Sequence, residues 1–155
     1  RSLDWDLLQH FSHQGIYKWI KQLNHFYTSE PAFYEQAYSD KGFEWLVVGE
    51  YMMSVLAFMR IGKHPWDAVL IVMNMTPVPR QSYRVGIILY DRWQLVHNSD
   101  DPEYWGSGFQ VRQEVEAESI TSNGRAKSVE MDLPPLSIVM YKPIIKGSAK
   151  KKLKS

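Results

Sequence analysis

The stretch that decides the fold is Lys127-Ser128-Val129-Glu130-Met131-Asp132-Leu133-Pro134-Pro135-Leu136-Ser137-Ile138-Val139-Met140-Tyr141-Lys142. In its first half Val129, Met131 and Leu133 alternate with Ser128, Glu130 and Asp132, the period of two expected of a strand with one wet face. Pro134-Pro135 then separates this strand from a second and keeps the two from merging. Working back toward the amino end, further short apolar runs lie at 43–48, 53–60, 68–75, 83–88, 92–97 and 114–120, divided by Gly, Pro, Asn and Asp. With 127–133 and 136–142 they make eight candidate strands, at the spacing of an antiparallel sandwich. The run 68–75 is apolar throughout and is expected to be a central strand.

Ahead of the turn Ser39-Asp40-Lys41-Gly42 the period changes. Ile16, Trp19, Ile20, Leu23, Phe26 and Tyr27 recur at helical spacing, while Lys18, Lys21, Gln22 and His25 take the other side. Ser12 is the expected N-cap, and the helix is expected to finish by Thr28. A second short helix should follow, with Ser29 as its cap and Pro31 in its first turn. The stripe is wide and aromatic, which suits packing against something large. The expected architecture is mainly β: a helical lead-in at 1–36, an antiparallel β-sandwich at 37–142 and a Lys-rich disordered tail at 143–155.

Composition sets the outer limits. The chain has 155 residues, of which 45% are hydrophobic, enough to build a core without disulfides or metal. It is too short for a whole (β/α) barrel, which needs about 200 residues. Without cysteine there is no disulfide framework, thiol nucleophile, thiolate zinc site or iron–sulfur cluster, and a reducing cytoplasm is compatible. No apolar run reaches the ~18 residues of a membrane span, and the opening Arg1-Ser2-Leu3-Asp4-Trp5-Asp6 is no signal peptide. Opening without Met, the chain is expected to be a piece of something longer. The formal charge of +1 conceals an acidic body and a tail carrying Lys146, Lys150, Lys151, Lys152 and Lys154. Lysines without interleaved aromatics or Arg make a solvated end, not a nucleic-acid or membrane patch.

Few residues fit a catalytic pattern. Asp4 and Asp6 are neighbours on a loop, not a pair of carboxylates set across a scissile bond, and should bond local backbone amides. His10, His13, His25, His64 and His97 lack ligand spacing, so no metal and no cofactor is expected. Gly106-Ser107-Gly108 lacks the spacing of a nucleophile elbow and reads as a tight glycine loop. Asn74-Met75-Thr76 matches a glycosylation sequon at the end of a central strand, an accidental match. Aromatics say more, because sugar rings stack their C–H faces on flat side chains. Trp93 is expected in the core, Trp66 and Trp105 in loops, and Trp45 at the start of the first strand.

These residues also carry a resemblance. Ser2-Leu3-Asp4-Trp5-Asp6-Leu7-Leu8, Gln22-Leu23-Asn24, Ser29-Glu30-Pro31-Ala32 and Gly42-Phe43-Glu44-Trp45 resemble, in order, the C-terminal part of the bacterial glycogen branching enzymes of the alpha-amylase superfamily. Asn74-Met75-Thr76-Pro77-Val78-Pro79-Arg80, Tyr83-Arg84-Val85-Gly86, Asn98-Ser99-Asp100, Tyr104, Gly106-Ser107-Gly108, Gly124-Arg125 and Leu133-Pro134-Pro135-Leu136 continue the series. The resemblance implies the alpha-amylase C-terminal all-β domain, preceded by one or two helices from the end of a (β/α)8 barrel. It implies a parent that cleaves α-1,4-glucan and transfers the chain to a 6-hydroxyl, through an Asp nucleophile and a Glu acid that lie on barrel strands outside this sequence. It further implies that this stretch is not catalytic, that its partners are α-glucan (glycogen, amylose) and the missing barrel, and that the setting is cytoplasmic. Trp45, Trp5 and Trp105 are the candidate glucan contacts, Trp45 by its place near the seam between barrel and sandwich. Two other readings stay open: a free-standing carbohydrate-binding sandwich, and the same domain from another superfamily enzyme such as a debranching enzyme.

Overall fold

A computed structural model describes residues 4–49, 52–64 and 66–145. It contains all eight expected strands: β1 (Phe43–Val47), β2 (Val55–Ile61), β3 (Ala68–Asn74), β4 (Arg80–Ile87), β5 (Arg92–Asn98), β6 (Glu114–Glu118), β7 (Lys127–Leu133) and β8 (Ser137–Pro143). Pairing between these strands is antiparallel throughout, in the order β1-β2-β3-β8-β5-β6-β7-β4. The sheet folds over at β6, which pairs with β5 on one side and β7 on the other. That fold brings β4 and β7 across β1, β3 and β8 and closes a sandwich.

Register explains which side chains fill it. In the β3–β8 ladder Leu70 faces Tyr141 and Val72 faces Val139, and all four point inward. Ile71 faces Met140 one step along and points outward, as the period of two requires. Trp93 and Tyr141 are the largest fully buried side chains, and the Tyr141 hydroxyl donates to Arg112 O at 2.8 Å. Residues 68–72 are all buried because β3 is covered on both faces, as its unbroken apolar run predicts. In β1 the register shifts between Trp45 and Val47; this bulge lets the consecutive residues Leu46 and Val47 both turn inward.

The second covering comes from the lead-in. A 3-10 turn at Trp5–Gln9 precedes α1 (Phe11–Ser29), which is followed by α2 (Pro31–Tyr34). The caps differ from expectation. His10 and Glu30 occupy the N-cap positions, neither with a side-chain bond, so Ser12 falls in the first turn of α1 and Ser29 in its last. Ser29 Oγ bonds back to Phe26 O at 3.3 Å instead of capping α2. From α1, Leu23 and Phe26 pack with Ala32 and Phe33 onto Val69, Ile71 and Met140, a second apolar cluster on the outside of the sheet. Gly15 permits the approach at the other end of α1, since a Cβ there would come within 2.4 Å of Tyr104 O.

Polar contacts fasten the lead-in to the strands. Lys142 of β8 pairs with the buried carboxylate of Glu30. Gln36 Nε2 donates to Gly62 O at 2.5 Å, and the Lys63 amide donates to Glu35 Oε2 at 2.9 Å. Strand ends differ from expectation by a few residues. β4 starts at Arg80, where the polar Gln81-Ser82 had hidden a strand with an irregular register. β8 runs through Pro143, and the Ile144 amide bonds Arg92 O at 2.9 Å, so the ladder passes the boundary expected at Lys142. The lysines from Lys146 onward lie outside the described residues.

Candidate functional site

Three features stand on the outer surface. The first is an aromatic platform on the edge strand β1. The β1–β2 register sets Trp45 opposite Phe58 and Phe43 opposite Arg60. Phe43 and Trp45, two apart, share the outer face. The Trp45 ring lies edge-on to Phe43 at 4.9 Å and to Phe58 at 5.6 Å, while Phe43 stacks on Phe58 at 5.2 Å. Trp45 remains 47% exposed on this aromatic base. The Arg60 guanidinium sits 5.9 Å from the Phe43 ring centre.

The second feature adjoins the first through Phe58. An apolar groove of about 470 Å3 runs between the lead-in and the sheet, lined by Tyr27, Phe33, Tyr38, Phe58, Met73 and Met140. Beside it α1 keeps an open flank. The stripe expected from the sequence is split: Trp19, Leu23 and Phe26 turn toward the sandwich, whereas Ile16, Ile20 and Tyr27 are 62%, 49% and 56% exposed. His97 of β5 sits beneath the docked half, 4.3 Å from the Phe26 ring and 6.3 Å from Trp19, and burial pulls its pKa below the ordinary imidazole value.

Trp105 forms the third feature. It follows the 3-10 turn Pro102–Tyr104 in the left-handed region, at φ +67°, with 68% of its surface open. Asp100 anchors this loop: its carboxylate accepts from the Ser107 amide at 2.8 Å, the Ser107 hydroxyl at 2.7 Å and the Phe109 amide at 3.0 Å. Gly106-Ser107-Gly108 is thus a tight glycine loop wrapped on a carboxylate. Trp5, in the first 3-10 turn, is 70% exposed. Trp45 and Trp105 do not form one site. Trp105 abuts Gly15, the groove next to Trp45 is lined by Tyr27, and about 18 Å of helix separates Gly15 from Tyr27 at 1.5 Å per residue.

Other singled-out residues resolve into packing. Trp93 is fully buried, and Trp66 stacks on His64 at 4.7 Å in its loop. Asp4 makes no side-chain cap bond to the 3-10 turn, and Asp6 Oδ1 accepts from the Gln9 side chain at 3.5 Å where a backbone amide was expected. Asn74 is fully buried with its amide donating to Val78 O and Pro134 O, both at 2.8 Å, which leaves the sequon closed. Among the described residues no group of three His, Asp or Glu could hold a metal, and no helix is long and apolar enough to cross a membrane. The platform and the Trp105 conformation depend on register and on a left-handed backbone. No pattern in the sequence marks either, although the aromatic spacing Phe43-x-Trp45 hints at the first.

Residues 45–144 match the family described as alpha amylase, C-terminal all-beta domain. Over 141 residues the chain is 43% identical to the 1,4-alpha-glucan branching enzyme GlgB of Aquifex aeolicus (strain VF5), covering 91% of this chain and 22% of that protein. With the branching enzyme GlgB of Pseudomonas fluorescens (strain Pf0-1) it shares 43% identity over 143 residues, 92% of this chain and 19% of the relative. That of Vibrio parahaemolyticus serotype O3:K6 is 41% identical over 140 residues, 90% and 18%. The chain therefore spans about a fifth of the length of the curated relatives it matches. Eight antiparallel strands closed into a sandwich, with the match running from Trp45 through the last of them, establish that this chain belongs to the alpha amylase C-terminal all-beta domain family.

Proposed function

We propose that the chain is the carboxy-terminal portion of a 1,4-alpha-glucan branching enzyme of cytoplasmic glycogen biosynthesis. In this reading the lead-in at 1–36 ends the catalytic (β/α)8 barrel, and the sandwich at 37–142 braces that barrel and contacts glucan. The observation that carries the reading is the extent of the likeness. A match of 141 residues is longer than the 45–144 stretch of the sandwich family, so it takes in the lead-in as well. A free-standing carbohydrate-binding module has no use for α1, whose Ile16, Ile20 and Tyr27 remain open. The barrel of the same polypeptide is the partner proposed for that flank and for the groove beside it.

The branching chemistry is a double displacement that needs a nucleophile and an acid across the glycosidic bond. Those carboxylates are assigned to the rest of the polypeptide, and neither Asp4 nor Asp6 replaces them, so the chain alone is expected not to branch. Iodine staining of amylose checks this: a sustained loss of colour with new α-1,6 linkages overturns it. The coding region upstream of Arg1 tests the main reading. A (β/α) barrel with nucleophile and acid carboxylates supports it, and an unrelated domain there overturns it.

Trp45, Trp5 and Trp105 are the proposed glucan contacts, with Trp45 as the seat for a long chain leaving the active site. In the whole enzyme, Trp45→Ala should raise KM for long amylose more than for short maltodextrins while Tm holds. A large fall in Tm without chain-length dependence makes Trp45 a packing residue.

A further inference from the structure

We propose that the cleft between α1 and the Pro102–Tyr104 turn is a saccharide-binding site in its own right, apart from the Trp45 platform. Phe11 and Trp105 are its stacking walls, and Gln14, Lys18 and Glu103 its hydroxyl partners. The proposal rests on the glucan reading given above and deepens it at Trp105.

The cleft measures about 320 Å3, at the lower end of the roughly 300–1,000 Å3 that small-ligand sites occupy. Gly15 and Pro102 help to line it, where the two elements close on each other. Its two aromatic walls are 80% and 68% exposed. Large apolar side chains left this open beside a concavity suit a partner that brings an apolar face, and a sugar ring brings one on each side.

The backbone of Trp105 sets the pose of this wall. A bulky residue in the left-handed region carries a backbone cost that Gly avoids. This backbone closes the turn, with the Trp105 amide donating to Pro102 O at 3.0 Å and the Gly106 amide to Asp101 O at 3.2 Å, and it leaves the indole 68% exposed at the mouth of the cleft. Strain kept at an exposed aromatic, on a loop locked by three bonds to Asp100, presents the ring in a fixed pose before a ligand arrives.

The polar rim selects the ligand class. Lys18 and Glu103 supply one charge of each sign and Gln14 an amide. The rim therefore has no net charge to attract an anion, and it mixes donors with acceptors as alternating hydroxyls require. A neutral oligosaccharide fits this balance of Lys18, Gln14 and Glu103.

Titration of the chain with maltoheptaose, by calorimetry and by the indole N–H signals in NMR, tests the site. Saturable binding is expected, with Phe11→Ala and Trp105→Gly each weakening it by roughly two- to twelvefold. Trp105→Gly should also leave Tm unchanged or raised, because the substitution relieves the backbone. A fall in Tm accompanying the lost affinity makes Trp105 a packing residue and overturns the proposal. Maltoheptaose binding that survives both cleft variants but fails in Trp45→Ala overturns the cleft and leaves the glucan reading intact. Equal binding of cellohexaose, lost in both cleft variants, keeps the saccharide site and overturns its α-glucan assignment. Absence of saccharide binding overturns the cleft and the glucan contacts together.

Discussion

The two faces of the β3–β8 ladder are built to different standards of closure. On the inner face Leu70, Val72, Val139 and Tyr141 are fully buried and share a finished core with side chains of β4, β5, β6 and β7. On the outer face Val69, Ile71 and Met140 are buried as well, but Leu23, Phe26, Phe33, Phe58 and Met73 around them are only partly covered. Beyond those residues the surface opens into the groove, the Trp45 platform and the free flank of α1. The buried side chains of the inner core all come from the strands themselves. The outer seam joins the sandwich to helices whose own outer side chains Ile16, Ile20 and Tyr27 stay open.

Substitutions can break that contrast. The largest effect is expected inside: Trp93→Ala should cost about 3–5 kcal/mol in urea unfolding, since the indole is fully enclosed. A loss under ~1 kcal/mol there would mean that the inner core is not the main source of stability. Next comes the seam. Gly15→Ala forces a Cβ to within 2.4 Å of Tyr104 O, and the overpacking should cost about 1–3 kcal/mol, more than the ~1 kcal/mol Ala gains in a free helix. A raised Tm would show that α1 does not dock as described.

Smaller still is a pH effect. Burial favours neutral His97, so its folded-state pKa lies below the ordinary 6.5 and unfolding takes up a proton. Stability from this group is fully present above pH 6.5 and declines as pH falls through the folded-state pKa. The urea midpoint should therefore drop from pH 7.5 to pH 5.0 by less in His97→Gln than in the parent. Equal drops would remove His97 as the cause. The smallest effect belongs to the open flank: Ile16→Ser with Ile20→Ser should move stability by no more than about 0.5 kcal/mol. Sedimentation checks whether the open flank makes the chain self-associate: the double variant should associate less than the parent, and equal association would show that the flank is not responsible.

Strand content was legible because period and punctuation are local. Val129, Met131 and Leu133 declare their face without reference to any other strand, and the unbroken run at 68–75 declares a strand covered twice. The helix caps misled because Ser12 and Ser29 carry the right chemistry one or two positions from the turn that tertiary packing imposes. The role of Gly15 was illegible, since its reason is a carbonyl at Tyr104 that arrives from far along the chain. The same holds for the platform, whose Trp45 and Phe58 meet only once a register is set, and for Trp105, whose left-handed backbone nothing in Tyr104-Trp105-Gly106 announces.

One detail of the topology bears on how the chain is made. β8 is the last strand in sequence, yet it sits between β3 and β5 near the middle of the sheet. Its Lys142 also reaches back 112 residues to Glu30 at the start of α2. A ribosome therefore delivers α1 and the first seven strands before the strand that joins them. Until then β3 and β5 each expose a bare edge, and the outer seam lacks Met140. Folding waits for the end of this segment to emerge, and a chain stalled before Leu136 carries two sticky edges to the cell's chaperones and proteases.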